Sequence, residues 1–216
     1  MKTHVIEPKL TQLSTFAIMV HLGLVLFGIT ALLSGGLADD YKKVEHARYT
    51  LHSWIGMGCA FFVFLRVVLG IGGPRHLRFC QWVPYTRERL RKVGEDIMGL
   101  FRFQLPERQT HVGVAGLVQA FGIMTFFVTA ASGVLLFFIL EPGHKAEGLA
   151  HSLKELHEGS LFFVLLFLAL HVGAVVAHML RGRHLWRPMV FLKEPQDLTV
   201  PEESSVTANR ANEKVG

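Results

Sequence analysis

Three histidines lie in a strongly apolar stretch of the chain, "LHEGSLFFVLLFLALHVGAVVAHML", which ends at Leu180. A neutral imidazole removed from water without a partner costs roughly 2–7 kcal/mol, so each needs a ligand, a proton-transfer role or a hydrogen bond. They are His157, His171 and His178. The first two are 14 residues apart, which on a helix is about 21 Å along the axis and about 40° around it. His157 and His171 therefore share one helix face at two depths.

The elements that must position these histidines are membrane spans. Half of the 216 residues are hydrophobic, and Phe alone occurs 17 times, a composition typical of integral membrane proteins. Four stretches exceed the roughly 17 apolar residues that a bilayer requires. They are 13–33, 51–71, 112–140 and 155–180. The pattern predicts an all-α fold, an integral membrane bundle of four transmembrane helices.

Lysine and arginine are distributed unevenly between the two sides of these spans. Sixteen of the 22 lie before the first span, in the loop 72–111 or after the fourth span; five lie on the other side, and Arg66 lies inside span two. Because positive residues concentrate in the cytoplasm, both termini are predicted to be cytoplasmic. The net charge of +5 reflects this topology, and no nucleic-acid-binding motif accompanies it.

The sequence divides into three parts. We expect a cytoplasmic N-terminal segment at 1–12, a membrane domain at 13–189 and a mobile cytoplasmic tail at 190–216, which is polar and lacks aromatic residues. In the loop 72–111, apolar residues recur at helical spacing among basic ones. This spacing favours an amphipathic helix at the membrane interface, with a solvated loop as the alternative.

The two other histidines inside spans match those of the fourth span in depth. His52 opens the second span on the periplasmic side, as His157 does the fourth, whereas His21 and His171 both lie about 12–14 Å from the cytoplasmic boundary. Each pair could bind one haem iron, with one imidazole on each side of the iron. The two pairs therefore indicate two bis-histidine haems. His178, on the same face as His171, is the alternative inner ligand. Taken singly, a histidine in a span is more often a hydrogen-bonded helix-packing residue or part of a proton path.

Three stretches carry the most specific features of the chain: "LHSWIGMGCAFFVFLRVVLGIGGPRHLRFCQWVP", "LHEGSLFFVLLFLALHVGAVVAHML" and "RGRHLWRPM". They resemble the bacterial cytochrome b561 family, which includes the b-type cytochrome subunits of membrane-bound nickel-iron hydrogenases. The likeness covers about residues 13–189, and its most specific features are His52 followed by Gly56, then Arg66, and the two-histidine fourth span. No C-x-x-C-H occurs, so covalent haem attachment is excluded.

The resemblance implies a multi-pass protein of the bacterial inner membrane that binds two b haems per chain. The iron ligands that it implies are His21, His52, His157 and His171, in agreement with the depth argument. Arg66 lies near the level of the inner pair. A buried cation there needs an anion, which a haem propionate would supply. Snorkelling of Arg66 to the cytoplasmic headgroups is the alternative.

The function that these features predict is electron transfer across the membrane, as in a respiratory chain. In the family that the chain resembles, electrons usually pass between a membrane quinone or quinol and a redox partner such as a periplasmic cytochrome or a hydrogenase-like enzyme, so the resemblance implies a quinol-linked oxidoreductase or a subunit of one. The chain would contact membrane lipid and no nucleic acid, and homo-oligomerisation stays open. 

Two other classes of function are compatible with intramembrane histidines. A transition-metal transporter would line its path with them, but apart from Glu155 and Glu158 at the outer end of span four, no Asp or Glu lies in a span with these histidines. A cofactor-free membrane anchor for a redox enzyme would leave the matched depths of the two pairs unexplained.

Overall fold

The four predicted spans each form a long helix. The computed structural model describes residues 15–36, 47–102, 104–105, 113–140, 146–183 and 186–190. Helices and 3₁₀ turns follow one another as α1 (Thr15–Gly35), α2 (Ala47–Gly72), a 3₁₀ turn (Arg75–Leu77), α3 (Phe79–Trp82), α4 (Arg87–Phe101), α5 (Val114–Ile139), α6 (Gly148–Leu180) and a second 3₁₀ turn (Arg187–Val190). No strand occurs within these ranges, and the all-α prediction is confirmed.

Four of the helices, α1, α2, α5 and α6, are long and apolar enough to cross a membrane. The segment predicted at 1–12 lies outside the described residues, as does the tail predicted at 190–216 apart from its first residue. Large apolar side chains are exposed along all four helices, for example Leu26, Phe64, Met124 and Phe162. In a soluble protein such surfaces would be an aggregation hazard, and here they are the lipid-facing surface.

Helix α6 begins at Gly148, earlier than the predicted Glu155. Its first turns are polar and are stabilised by an ion pair of 2.6 Å between Lys154 and Glu158, one helical turn apart. The length of a run of apolar residues predicts only the part of a helix that lies in lipid. The sequence pattern therefore did not predict the polar first turns of α6.

The four long helices pack in chain order: α1 on α2, α2 on α5, and α5 on α6. The end of α1 meets the start of α2 at Ser34 and His52, and Trp54 near the start of α2 contacts Phe137 near the end of α5, so neighbouring helices are antiparallel. Among the described residues, α6 does not pack closely on α1 or α2. The histidine-bearing face of α6 looks toward those two helices.

Glycines let α1 and α2 approach closely at mid-depth. The ring of Phe62 lies against Gly23, and the ring of Phe27 lies against Gly58, where an added Cβ would collide with each ring. Phe27 and Phe62 stack with their ring centres 5.5 Å apart. This reciprocal packing fills the space between the two helices with aromatic carbon.

Helix α4 lies at the end of the bundle where α5 begins. Its first turn is capped by the Thr86 hydroxyl, which accepts the Arg89 N–H at 3.3 Å. Lys92 binds Glu88 at 2.9 Å, and the hydrogen bond from Lys92 lowers the pKa of the Glu88 carboxyl. The amphipathic helix expected in the loop 72–111 is therefore present at 87–101. Its place at a membrane interface stays a proposal.

Candidate functional site

The inner histidine pair, His21 and His171, faces across the gap between α1 and α6. The two ring centres are 6.4 Å apart and the ring planes are inclined by 62°. Phe167, one turn before His171 on α6, stacks on the His171 ring with centres 5.3 Å apart. This stacking holds one face of the imidazole against hydrocarbon.

The outer histidine pair, His52 and His157, has nearly the same geometry between α2 and α6. The ring centres are 6.2 Å apart and the planes are inclined by 74°. Both pairs share α6, which is continuous from Gly148 to Leu180. The pairs therefore lie about 21 Å apart along this helix, from 14 residues at 1.5 Å each.

Each ring of the outer pair is held through its Nδ1 atom by a helix other than its own. The His52 Nδ1 lies 3.1 Å from the Ser34 hydroxyl of α1. The His157 Nδ1 lies 2.9 Å from the Thr129 carbonyl oxygen and 3.2 Å from the Ser132 hydroxyl of α5. The carbonyl accepts only, so the His157 Nδ1 carries the proton and Nε2 has the free lone pair.

The ring separations fit iron held between two imidazoles. Bonds of about 2 Å from one metal ion to a nitrogen on either side, added to the radius of each ring, place the ring centres about 6 Å apart, as in both pairs. Within the described ranges no three His, Cys, Asp or Glu residues cluster to hold a bare metal ion. Two nitrogen donors alone suit an iron whose other ligands come from a macrocycle.

Gly56 leaves open space next to His52 of the outer pair, which would suit a flat ligand such as a macrocycle. Gly56 follows His52 by one helical turn, and a Cβ built there would meet nothing within 4 Å. A larger side chain at this position would enter the room beside the imidazole. The His-x-x-x-Gly pattern thus leaves open space on the helix face that carries His52.

Arg66 is the charged group nearest the inner pair on α2. Its guanidinium lies 5.5 Å from the Phe79 ring centre and 5.8 Å from that of Trp82, and its charge acts on His21. One terminal nitrogen is buried without a hydrogen-bond partner among the described residues. An uncompensated buried donor is costly, so this nitrogen fits an anionic group bound beside the inner pair.

His178, the alternative inner ligand, lies in the last turn of α6. Its Nδ1 is buried without a hydrogen-bond partner in the described part of the chain. The ring that His21 contacts is that of His171, and His178 lies about 10 Å further along the helix, from 1.5 Å per residue. The geometry thus favours His171 over His178 as the partner of His21.

Sequence reasoning missed the groups that hold the outer rings. Ser34 and Ser132 are buried in α1 and α5, and each is followed by a glycine, Gly35 or Gly133. A Cβ on Gly133 would lie 2.9 Å from the His157 ring, so the glycine makes room for that imidazole. The sequence signal is a Ser-Gly pair directly after the first apolar span (Ser34-Gly35) and another inside the third (Ser132-Gly133).

The sequence model of the prokaryotic cytochrome b561 family matches residues 12–191 of the chain. No curated protein and no solved structure matches it. The match covers all four long helices together with both histidine pairs. The chain therefore belongs to the prokaryotic cytochrome b561 family, and it is a membrane protein that binds b-type haem and transfers electrons.

Proposed function

We propose that the chain binds two b haems and transfers electrons across the bacterial inner membrane between a quinol and a partner protein. The observation that supports this most is the presence of two facing imidazole pairs, His52 with His157 and His21 with His171. They lie about 21 Å apart on one helix, a distance comparable to most of the roughly 30 Å hydrocarbon core.

The four histidines would hold the haem irons, two to each haem. In each pair the two imidazoles face each other, with ring centres 6.4 Å apart in the inner pair and 6.2 Å apart in the outer pair. Haem bound there supplies reversible one-electron oxidation and reduction, at potentials set by its axial ligands, hydrogen bonding and burial. Phenylalanines between the helices, such as Phe27 and Phe62, keep water away from the interior.

Arg66 supplies positive charge beside the inner pair. Its aromatic neighbours Phe79 and Trp82 hold the guanidinium by cation–π contacts and leave one buried nitrogen available. A carboxylate of the haem periphery would satisfy that nitrogen with a charge-assisted hydrogen bond. Snorkelling to headgroups is less favoured, because a snorkelling guanidinium would find water or phosphate partners for its nitrogens.

The orientation follows from charge. The end of the bundle that carries α3 and α4 has the basic loop, and we place it, with both termini, in the cytoplasm. The loops on the other side are short, and short loops would cover the outer pair less. We therefore place the soluble redox partner on the periplasmic side and the quinone near the inner pair.

Two rival functions receive less support. A transporter for Zn²⁺ or Cu²⁺ would need a site with three or four protein ligands, and no such group occurs in the part of the chain that the structure describes. A cofactor-free anchor would not require four histidines to face each other in two pairs of matching separation.

The test is a haem assay of the purified protein. We expect a low-spin b-type spectrum on reduction and two haems per chain, both extractable by acid acetone because no covalent attachment motif is present. Substitution of His52 or His157 by Ala should lower the ratio to one, as should substitution of His21 or His171. A ratio of one in the unaltered protein would contradict the two-haem proposal.

A further inference from the structure

The two histidines of the outer pair are held by the same local arrangement on two different helices. On α1 the sequence Ala31-Leu-Leu-Ser34-Gly35 faces His52, and on α5 the sequence Thr129-Ala-Ala-Ser132-Gly133 faces His157. In each, a serine and the residue three positions before it lie against one imidazole that comes from the next helix in the chain. We call each arrangement a Ser-Gly cradle.

In the α1 cradle, the Ser34 hydroxyl donates to the Ala31 carbonyl at 3.0 Å. The same hydroxyl lies 3.1 Å from the His52 Nδ1, and the Ala31 carbonyl lies near the same ring. Because the serine proton points to the carbonyl, its oxygen is left to accept. The His52 Nδ1 is then the donor to the serine oxygen.

In the α5 cradle, the Ser132 hydroxyl directs its proton to its own helix, with the Val128 carbonyl at 2.8 Å and the Thr129 carbonyl at 3.0 Å. Its oxygen faces the His157 Nδ1 at 3.2 Å. Ser132 is only 2% exposed, so water does not compete for these bonds. The His157 ring is therefore fixed with the proton on Nδ1, as in the α1 cradle.

We infer that Ser34 and Ser132 are positioning residues that set the tautomer, the orientation and the electron-donating strength of both outer axial ligands. This inference rests on the proposed haem ligation. A histidine that donates its second N–H to an oxygen becomes a more basic ligand, and a more basic ligand stabilises the oxidised metal. The cradles thus lower the reduction potential of the outer haem.

The inner pair has a different environment. His171 is stacked on Phe167, which offers its ring no acceptor, and Arg66 adds a positive charge nearby. Positive charge and apolar contact both raise the potential of a bound haem. The two haems of one chain therefore differ in potential, with the outer one lower, and the cradles account for part of that difference.

The experiment is a redox titration of the purified haem-loaded protein in which Ser34 and Ser132 are each replaced by Ala, singly and together. The matched control is Thr30→Ala, which removes a hydroxyl whose partners in the described part of the chain are the Leu26 and Phe27 carbonyls of its own helix. We expect the potential of the outer haem to rise, most in the double variant, while the inner haem and the Thr30→Ala protein stay unchanged. The low-spin electron paramagnetic resonance signal of the outer haem should also shift, because the His52 and His157 rings are no longer held in orientation by the serine hydroxyls.

Two results would overturn the inference: an unmoved outer potential, or an equal shift of both haems. Either would leave the two-haem proposal standing, since haem content is counted in the same samples. A chain that binds no haem at all would instead overturn the proposed function. If the double variant does not fold, the single variants still answer the question.

The glycine of the α5 cradle offers an independent check. A Cβ at Gly133 would lie 2.9 Å from the His157 ring, whereas one at Gly36, just after α1, meets nothing within 4 Å. Gly133→Ala should displace the ring and weaken binding of the outer haem alone, and Gly36→Ala should leave both haems bound. Full retention of the outer haem in Gly133→Ala would show that the cradle does not hold His157 closely.

Discussion

Asp96 of α4 caps the first turn of α5: its carboxylate accepts the Val114 N–H at 3.0 Å. The residue that would ordinarily cap this helix is Gly113, which has no side chain to offer and adopts a φ of 71°. A Cβ on Gly113 would collide with the Asp96 carboxylate. The loop helix is thus fastened to the bundle by an anion at a helix N-terminus.

Replacement of Asp96 by Ala should lower the free energy of unfolding by about 1–2 kcal/mol, the usual cost of a lost helix cap. Asp96→Asn keeps an acceptor oxygen and should cost less. Unfolding in mixed micelles with increasing denaturing detergent measures both variants. Equal stability of Asp96→Ala and the unaltered protein would show that the cap adds nothing to the attachment of α4.

The exposed stripe of α4 should lie in lipid. Leu90, Ile97 and Phe101 are exposed and fall on one side of the helix, within about 40° of one another at 100° per residue. Buried Val93 and Asp96 face the bundle on another side. We therefore expect the helix to have one face for the protein, one for hydrocarbon and one for water, as interfacial helices do.

Labelling with a membrane-impermeant maleimide tests this position. In a Cys80→Ser background, a cysteine in place of Phe101 should react several-fold more slowly in lipid nanodiscs than one in place of Glu95. In the protein alone Phe101 is the more exposed position, with 80% of the whole residue accessible against 46% of the Glu95 side chain, so burial in lipid is what would reverse the order. Faster labelling at 101 would place α4 in water.

Arg66 should control the potential of the inner haem. Arg66→Leu removes a positive charge from the neighbourhood of His21, which destabilises the reduced state and should lower the inner potential much more than the outer one. Arg66→Lys should retain part of the effect, and Arg102→Leu, at the exposed end of α4, should have none. A titration in which neither haem moves would indicate that Arg66 snorkels.

The choice between His171 and His178 can be decided by single substitutions. His171→Ala should lose the inner haem, because the ring that faces His21 at 6.4 Å is removed. His178→Ala should keep both haems, since that residue lies about 10 Å further along α6. Haem content and the reduced spectrum measure the outcome, and the opposite result would assign the inner iron to His178.

The pairing of the histidines could be predicted from the sequence, because the depth of a residue in a membrane follows from its position along the span. Counting residues from the ends of apolar stretches put His21 level with His171, and the structure brings these rings together. The Ser-Gly cradles could not be predicted in this way, since a contact between Ser132 and His157 depends on which faces of α5 and α6 meet. The attachment of Asp96 to Val114 was likewise hidden, because it joins two helices through a side chain that the amphipathic pattern treats as merely polar.

The entry point of electrons is the last prediction, and it concerns His21. A quinol is apolar and diffuses within the bilayer, but release of its two protons requires contact with an aqueous phase, so it should react near one end of the bundle. The end at the inner pair carries α3 and α4 as an additional layer, with Phe79 and Trp82 packed around Arg66, and such a layer offers apolar surface next to charge.

In proteoliposomes a quinol analogue should reduce both haems of the unaltered protein. His21→Ala should slow quinol-driven reduction while the outer haem stays reducible by a membrane-impermeant donor added on the periplasmic side. His52→Ala, as the matched variant of the outer pair, should leave the inner haem reducible by quinol at the normal rate. If the His21→Ala protein is reduced by quinol as fast as the unaltered one, electrons enter at the outer pair and the quinone site belongs at the periplasmic end.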